Sequence, residues 1–204
     1  MIAATIGIAF DGEWLIAGGE SVLGTADLAP MKDDDGFPFL PGRSLRGLLR
    51  EAVSLVDDCI GSQWANELFG ERLVPAGDRH YREGAARIGN ALLVQEIADA
   101  CGAVELRKEF YTTVRRTALT HDHLARAHTL REIEVCVPGL VLAAEIEVPN
   151  ETSLQVLAFA CGLVRSLGHG RSRGLGRCNI EICRDGTPVE CHEIPVSTGE
   201  RNTP

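Results

Sequence analysis

The chain has 204 residues, 45% hydrophobic and 24% charged, with 20 Lys and Arg against 29 Asp and Glu, for a formal net charge of −9. That length and balance suit one globular domain with a real core and exclude a disordered tail. The longest apolar stretch, 154–167, is too short to cross a bilayer and is broken by Arg165. Residues 1–10 lack the basic start of a signal peptide, and the seven cysteines form no Cys-x-x-Cys pair, so a cytoplasmic protein with reduced thiols is expected.

In chain order, 5–10 alternates loosely and predicts a first strand, resuming at 14–17 after Asp11-Gly12. An acidic loop with Gly and Pro covers 18–41. Ser44 stands as an N-cap before Leu45, Leu48, Leu49, Ala52, Val53 and Val56, whose spacing predicts a helix ending near 59–61. A shorter helix follows over 62–69, closed by Gly70, and 86–97 predicts a second strand. Residues 103–138 are irregular, polar and basic, too long for a simple turn. Strand 140–148 follows the Pro138-Gly139 turn, with 133–137 as its expected hairpin partner. A second helix, capped by Asn150 or Thr152, packs through Leu154, Leu157, Ala158, Cys161 and Val164 and is expected to end at a left-handed Gly168. Strand 175–183 alternates cleanly, and 187–204 reads as a loosely ordered tail. The order strand, helix, strand, strand, helix, strand predicts an α+β, ferredoxin-like (RRM-like) fold. Two helices would cover one face of an antiparallel sheet and leave the other free for single-stranded RNA.

A net charge of −9 argues against nucleic acid only if charge is spread evenly. It is not. Residues 1–36 hold seven acids (Asp11, Glu13, Glu20, Asp27, Asp33, Asp34, Asp35) and one base, Lys32. By contrast, 38–50 hold Arg43, Arg46 and Arg50 and 163–179 hold Arg165, Arg171, Arg173 and Arg177, both without an acid; 110–131 add Arg115, Arg116, Arg126 and Arg131. Of the 20 bases, 18 are arginine, whose planar fork suits phosphate, although Arg-rich usage also reflects GC-rich codon bias.

Two segments carry the chemistry. Phe39-Leu40-Pro41-Gly42-Arg43-Ser44-Leu45-Arg46-Gly47 opens the first helix, where exposed N–H groups and two arginines make an anion site. Gly168-His169-Gly170-Arg171-Ser172-Arg173-Gly174-Leu175-Gly176-Arg177 joins helix to strand, its glycines allowing close approach of a phosphodiester chain and its arginines supplying charge. The Gly-x-Ser-x-Gly match at 170–174 is no nucleophile elbow, since that elbow needs a strand before it and a helix after it. His121, Asp122, His123 and His128 offer metal-ligating atoms but no cysteine partner, and polar contact is the plainer role.

With these motifs the chain resembles the RAMP superfamily of CRISPR proteins. Members share an initial strand, a Pro-Gly-Ser-Ser-Leu-Lys-Gly-like opening of the first helix, here 40–47, and a Gly-rich, Arg-bearing loop near the C-terminus, here 168–177. Within the superfamily it looks most like the backbone subunit of type III effector complexes, with Ala26-Asp27-Leu28-Ala29-Pro30 in the place of the catalytic Asp. Val114-Arg115-Arg116-Thr117-Ala118-Leu119 and Glu134-Val135-Cys136-Val137-Pro138-Gly139 resemble a diverged insertion. The resemblance spans about 5–182 and departs at Arg43, which replaces a Ser, and at Arg115-Arg116.

The resemblance implies one RAMP domain over 1–204 with an acidic catalytic loop at 18–41 and a thumb-like insertion at 103–138. Its members polymerise on a guide RNA beside other effector subunits and cleave complementary target RNA at regular spacing. Asp27 is then the catalytic residue and the group that would hold a divalent cation, Mg²⁺, with Asp33, Asp34 and Asp35 as a disordered acidic turn. Arg43, Ser44, Arg46, Gly168, His169, Gly170, Arg171, Ser172, Arg173 and Arg177 would bind guide RNA, and Arg115, Arg116 and Thr117 would contact RNA from the thumb. A binding-only subunit, a guide-processing endoribonuclease using His169 as general base, and a protein that binds no nucleic acid stay open as alternatives.

Overall fold

Strand β1 (Ile2–Phe10) lies at the centre of the sheet because Ala4, Ile6, Ile8 and Phe10 alternate onto its buried face. In the computed structural model, which describes residues 1–18, 26–71, 83–101, 106–118, 121, 122, 124, 126 and 128–191, β1 pairs antiparallel on both sides. One neighbour is β6 (Val141–Val148) and the other β7 (Cys178–Arg184). The far side of β6 pairs with β2 (Arg87–Ile88) and β3 (Leu92–Leu93), and β7 with β8 (Thr187–Pro188). With β2 and β3 as one interrupted strand, this is the ferredoxin-like order.

Helices α1 (Gly42–Ile60) and α4 (Glu151–Leu163) cover the buried face. Leu45, Leu49, Ala52, Val53 and Val56 of α1 meet Leu154, Leu157, Ala160 and Cys161 of α4 in one core with Ile6, Ile8, Leu142, Ile146, Ile180 and Ile182. Each such large side chain contributes about 1.5–3 kcal/mol by leaving water. The short α2 (Trp64–Phe69) follows α1, whose left-handed cap is Gly61.

Several expectations are corrected. Pro41, not Ser44, is the N-cap of α1, and the Gly42 N–H is satisfied by Asn90 Oδ1 at 2.8 Å. The predicted strand 86–97 is broken at Gly89-Asn90, where the chain turns aside to pair Ala91 with Leu40, and it ends in helix α3 (Gln95–Ala100). Segment 133–137 is not the hairpin partner of 140–148. Strand β5 (Arg131–Cys136) pairs instead with β4 (Tyr111–Arg116) in a separate two-stranded sheet. Helix α4 stops at Leu163, because Leu167 and Cys178 then hydrogen-bond across to Gly176 and Arg165. The tail is ordered as far as Val189, whose N–H donates to Ile182 O at 2.8 Å, and 192–204 lie outside the described residues.

The open face of the sheet is also unlike the expected RNA platform. It presents Ala3, Thr5, Gly7 and Ala9 beside Glu145, Glu147 and Glu181, with Thr5 opposite Glu145, Gly7 opposite Glu181 and one base, Arg87, paired with Glu147 at 3.5 Å. Small side chains and carboxylates offer no ring to stack a base and repel phosphate.

Candidate nucleic-acid interface

Residues 13–16 are the spine on which the site is assembled. Trp14, stacked on Phe10 with ring centres 4.1 Å apart, pairs through its backbone with Cys136 of β5. On the other side Leu15 O accepts the His169 N–H at 2.7 Å, and Glu13 O accepts that of Gly176 at 2.8 Å. Hairpin and Gly/Arg loop therefore hang from one segment.

Two of the loop's glycines are required by the protein's own backbone. Gly168 and Gly176 have φ of +91° and +75°, and a β-carbon on either would collide with the carbonyl of Leu15 or Leu167. With its neck closed, the loop presents a single 3-10 turn, Arg171–Arg173, whose three side chains are exposed.

Arg171 stands where three adjoining cavities meet. One, of 340 Å³, lies between the start of α1 and the loop and is lined by Ser44, Glu51, Gly168 and His169. The next, of 320 Å³, runs between α1 and the end of α4 past Leu48, Leu55, Leu163 and Arg165. The third, of 770 Å³, is lined by Arg165, Arg177, Asn179 and Asp11. The two motifs thus share one groove, with an exposed ion pair of 3.7 Å between Arg171 and Glu51 on its wall. Arg43 and Arg173 are exposed but line none of the three cavities and, like Arg165 and Arg177, make no ion pair among the described residues.

Arg46 is the exception. Its guanidinium donates to Ala86 O at 2.8 Å and Phe69 O at 3.1 Å and lies over the Phe69 ring, so it ties α1 to α2 and the segment before β2 rather than facing the groove. Gly42 is likewise structural, since a β-carbon there would stand 2.7 Å from the carbonyls of Ile88 and Gly89.

The two adjacent arginines of β4 serve opposite faces of the hairpin. Arg115 Nε donates to Glu132 Oε1 at 2.7 Å. Arg116 turns to the Gly/Arg loop, where a β-carbon at Gly170 would lie 3.6 Å from its guanidinium. Thr117 is exposed and shares a hydrogen bond with Thr129 at 2.9 Å.

Asp27 is exposed and docked on the hairpin edge. Its N–H donates to Glu132 O at 2.8 Å, and its Oδ2 accepts the Glu132 N–H at 3.0 Å. Leu28 bridges to Ile133 and packs in a small second core with Leu15, Val114 and Leu175. Asp33, Asp34 and Asp35 form an ordered turn, not the expected disordered one: Asp33 Oδ1 accepts the N–H groups of Asp35 and Phe37, and Tyr111 donates to Gly36 O at 2.7 Å.

A sequence model of the RAMP superfamily matches residues 13–179. The chain belongs to the RAMP superfamily. Two solved structures show the same fold. One is a chain of the cryo-EM structure of the type III-B Cmr-beta bound to cognate target RNA, 12% identical with a TM-score of 0.66, covering 89% of this chain and 97% of the other. The second is a chain of the type III-B Cmr-beta in the apo state, 10% identical with a TM-score of 0.63, covering 91% and 98%. No curated protein sequence matches.

In this RAMP domain part of the expected site comes together in two places. Ser44, Gly168, His169 and Arg171 line the groove with Arg177, while Asp27 and Arg115 meet at the hairpin through Glu132. Sequence reasoning missed Asn90 and Glu132, and it left Arg165 out of the site although it belongs to the same basic island. His121 and Asp122 approach to 3.7 Å with both side chains exposed, and His123 lies outside the described residues. Among the described residues no three His, Cys, Asp or Glu side chains gather as a metal site. No helix among them is long and apolar enough to cross a membrane.

Proposed function

We propose that this RAMP protein is the backbone subunit of a type III CRISPR ribonucleoprotein, binding guide RNA in the groove at Arg171 and cleaving complementary target RNA at Asp27. The observation that carries the reading is the convergence of the α1 opening and the Gly/Arg loop on one arginine-lined groove, while the sheet's open face is acidic. Arginine forks on a sugar–phosphate backbone position RNA without reading its sequence, which base pairing then supplies. The fold shared with a chain of Cmr-beta bound to cognate target RNA supports the assignment.

At the hairpin, Asp27 accepts the Glu132 N–H through Oδ2, which leaves Oδ1 to accept a proton. In the proposed step a target 2′-hydroxyl gives its proton to Asp27 as its oxygen attacks the adjacent phosphorus. The bond from phosphorus to the 5′-oxygen breaks, that oxygen takes a proton from water, and a cyclic phosphate and a 5′-hydroxyl result. Asp27 supplies one carboxylate, so a Mg²⁺ there would take its other ligands from RNA phosphates and water and would neutralise charge on the phosphate.

The Arg115–Glu132 ion pair, which takes up the carboxylate next to Asp27, favours a second reading, a binding-only subunit. Assembly of the full chain with guide RNA, complementary RNA and Mg²⁺ separates the two: cuts at regular spacing support the first, and guide binding without cuts the second. Guide processing by His169 has less support, because its side chain is exposed and has no carboxylate partner among the described residues.

A further inference from the structure

The chain has only two lysines among its 20 bases, and both line one cleft outside the guide groove. This cleft, of 450 Å³, opens between the acidic turn, the 3-10 helix Leu106–Phe110 and the hairpin; Lys32, Arg107, Lys108, Tyr111, Thr113 and Glu134 are in its wall. Lys32 Nζ lies 3.8 Å from the centre of the Tyr111 ring and 3.0 Å from Glu134 Oε2, so that base is balanced in place. Arg107 lies over the Phe37 ring at 4.9 Å and donates to Asp35 O, with its Nε buried and unpartnered. Lys108 is exposed and has no partner among the described residues. Against Lys32, Arg107 and Lys108 stand two lining carboxylates, Asp35 and Glu134, and with Glu134 taken up by Lys32, Lys108 is the base of the lining left to meet an anion.

Its position gives the charge a purpose. Leu28 and Ile133 share the second core, so alternation puts Asp27, Glu132 and Glu134 on the opposite face of the hairpin, with Tyr111, Thr113 and Arg115 as cross-strand neighbours. Glu134 is one same-face step from Glu132, about 7 Å along the strand. The cleft therefore begins next to the anchor of Asp27 and on its face.

We propose that this cleft is a phosphate subsite for the target RNA strand, in which Lys108 holds the phosphodiester next to the one presented to Asp27, and Arg107, tied to Asp35 O and the Phe37 ring, shapes the wall. The inference rests on the reading of the chain as a guide- and target-binding subunit. Full chain loaded with guide RNA is titrated with complementary RNA over a range of salt. Lys108→Ala is expected to leave guide affinity unchanged, weaken target binding about three- to tenfold and flatten the target salt slope by about 0.7. Target RNA, and not inorganic phosphate, is expected to protect Lys108 from amine acetylation. Unchanged target affinity and slope with no protection overturn the subsite, and protection by inorganic phosphate alone overturns its assignment to a strand. Failure of the wild type to bind guide RNA overturns the underlying reading instead.

Discussion

Asp27 and Glu132 are joined twice through one backbone position: Glu132 O accepts the Asp27 N–H at 2.8 Å, and its N–H donates to Asp27 Oδ2 at 3.0 Å. The proposed catalytic carboxylate is thus fixed to the hairpin, and the Glu132 side chain carries the orientation on to Arg115. Asp27→Asn keeps the shape and removes the proton acceptor. Target cleavage in the assembled complex is expected to fall at least about 100-fold with guide affinity unchanged; undiminished cutting contradicts the role.

Arg115 and Arg116 are adjacent in sequence and divided in space. Arg115→Ala is expected to slow cleavage without weakening guide binding, because it releases Glu132 beside Asp27. Arg116→Ala is expected to do the reverse, because it sits against Gly170. Guide affinities and single-turnover cleavage rates of both variants check the division.

Groove charge should register in salt dependence. Arg165, Arg171 and Arg177 changed together to Ala are expected to lower the guide salt slope by about 2, at about 0.7 for each phosphate of a single strand that is no longer neutralised. An unchanged slope from filter-binding titrations contradicts the groove.

The glycines give a stability contrast. Gly176→Ala forces a β-carbon into the Leu167 carbonyl at φ +75° and is expected to cost at least about 2 kcal/mol, lowering the thermal midpoint by roughly 4–8 °C. Gly174→Ala has φ +87° with open space around it, and its expected cost is about 1 kcal/mol. Thermal unfolding of the two variants compares them.

Burial raises Cys161 to about 12 and Cys178 to about 11, the latter helped by Asp11, from an ordinary 9.0. Above pH 9.0 the unfolded thiols lose protons that the native ones keep, so stability is full below that pH and falls as pH rises toward about 11 and 12. Urea midpoints across this range are expected to decline, and less steeply with both cysteines changed to Ala.

Local pattern revealed α1 because its apolar face is contiguous in sequence, and it revealed both basic motifs because their residues are neighbours in the chain. Pairing was less legible. β5 alternates well enough to suit either β6 or β4, and what decides is distant: Trp14 bonds Cys136, while Gly139 turns back to bond Phe10 O. The glycines in 168–176 suggested room for phosphate because their number is visible and their neighbours are not; at Gly168 and Gly176 Leu15 and Leu167 occupy that room, while Gly174 is open. Glu132 gave no signal, since its tie to Asp27 is made by its backbone.

Binding of RNA in the groove at Arg171, and not on the sheet, is tested most directly by photo-crosslinking of the full chain to guide RNA, with adducts mapped by mass spectrometry. Adducts are predicted at 165–177 and at Arg43 and Ser44. Adducts on the open sheet face, around Thr5, Glu145 and Glu181, with none in the groove, would contradict it.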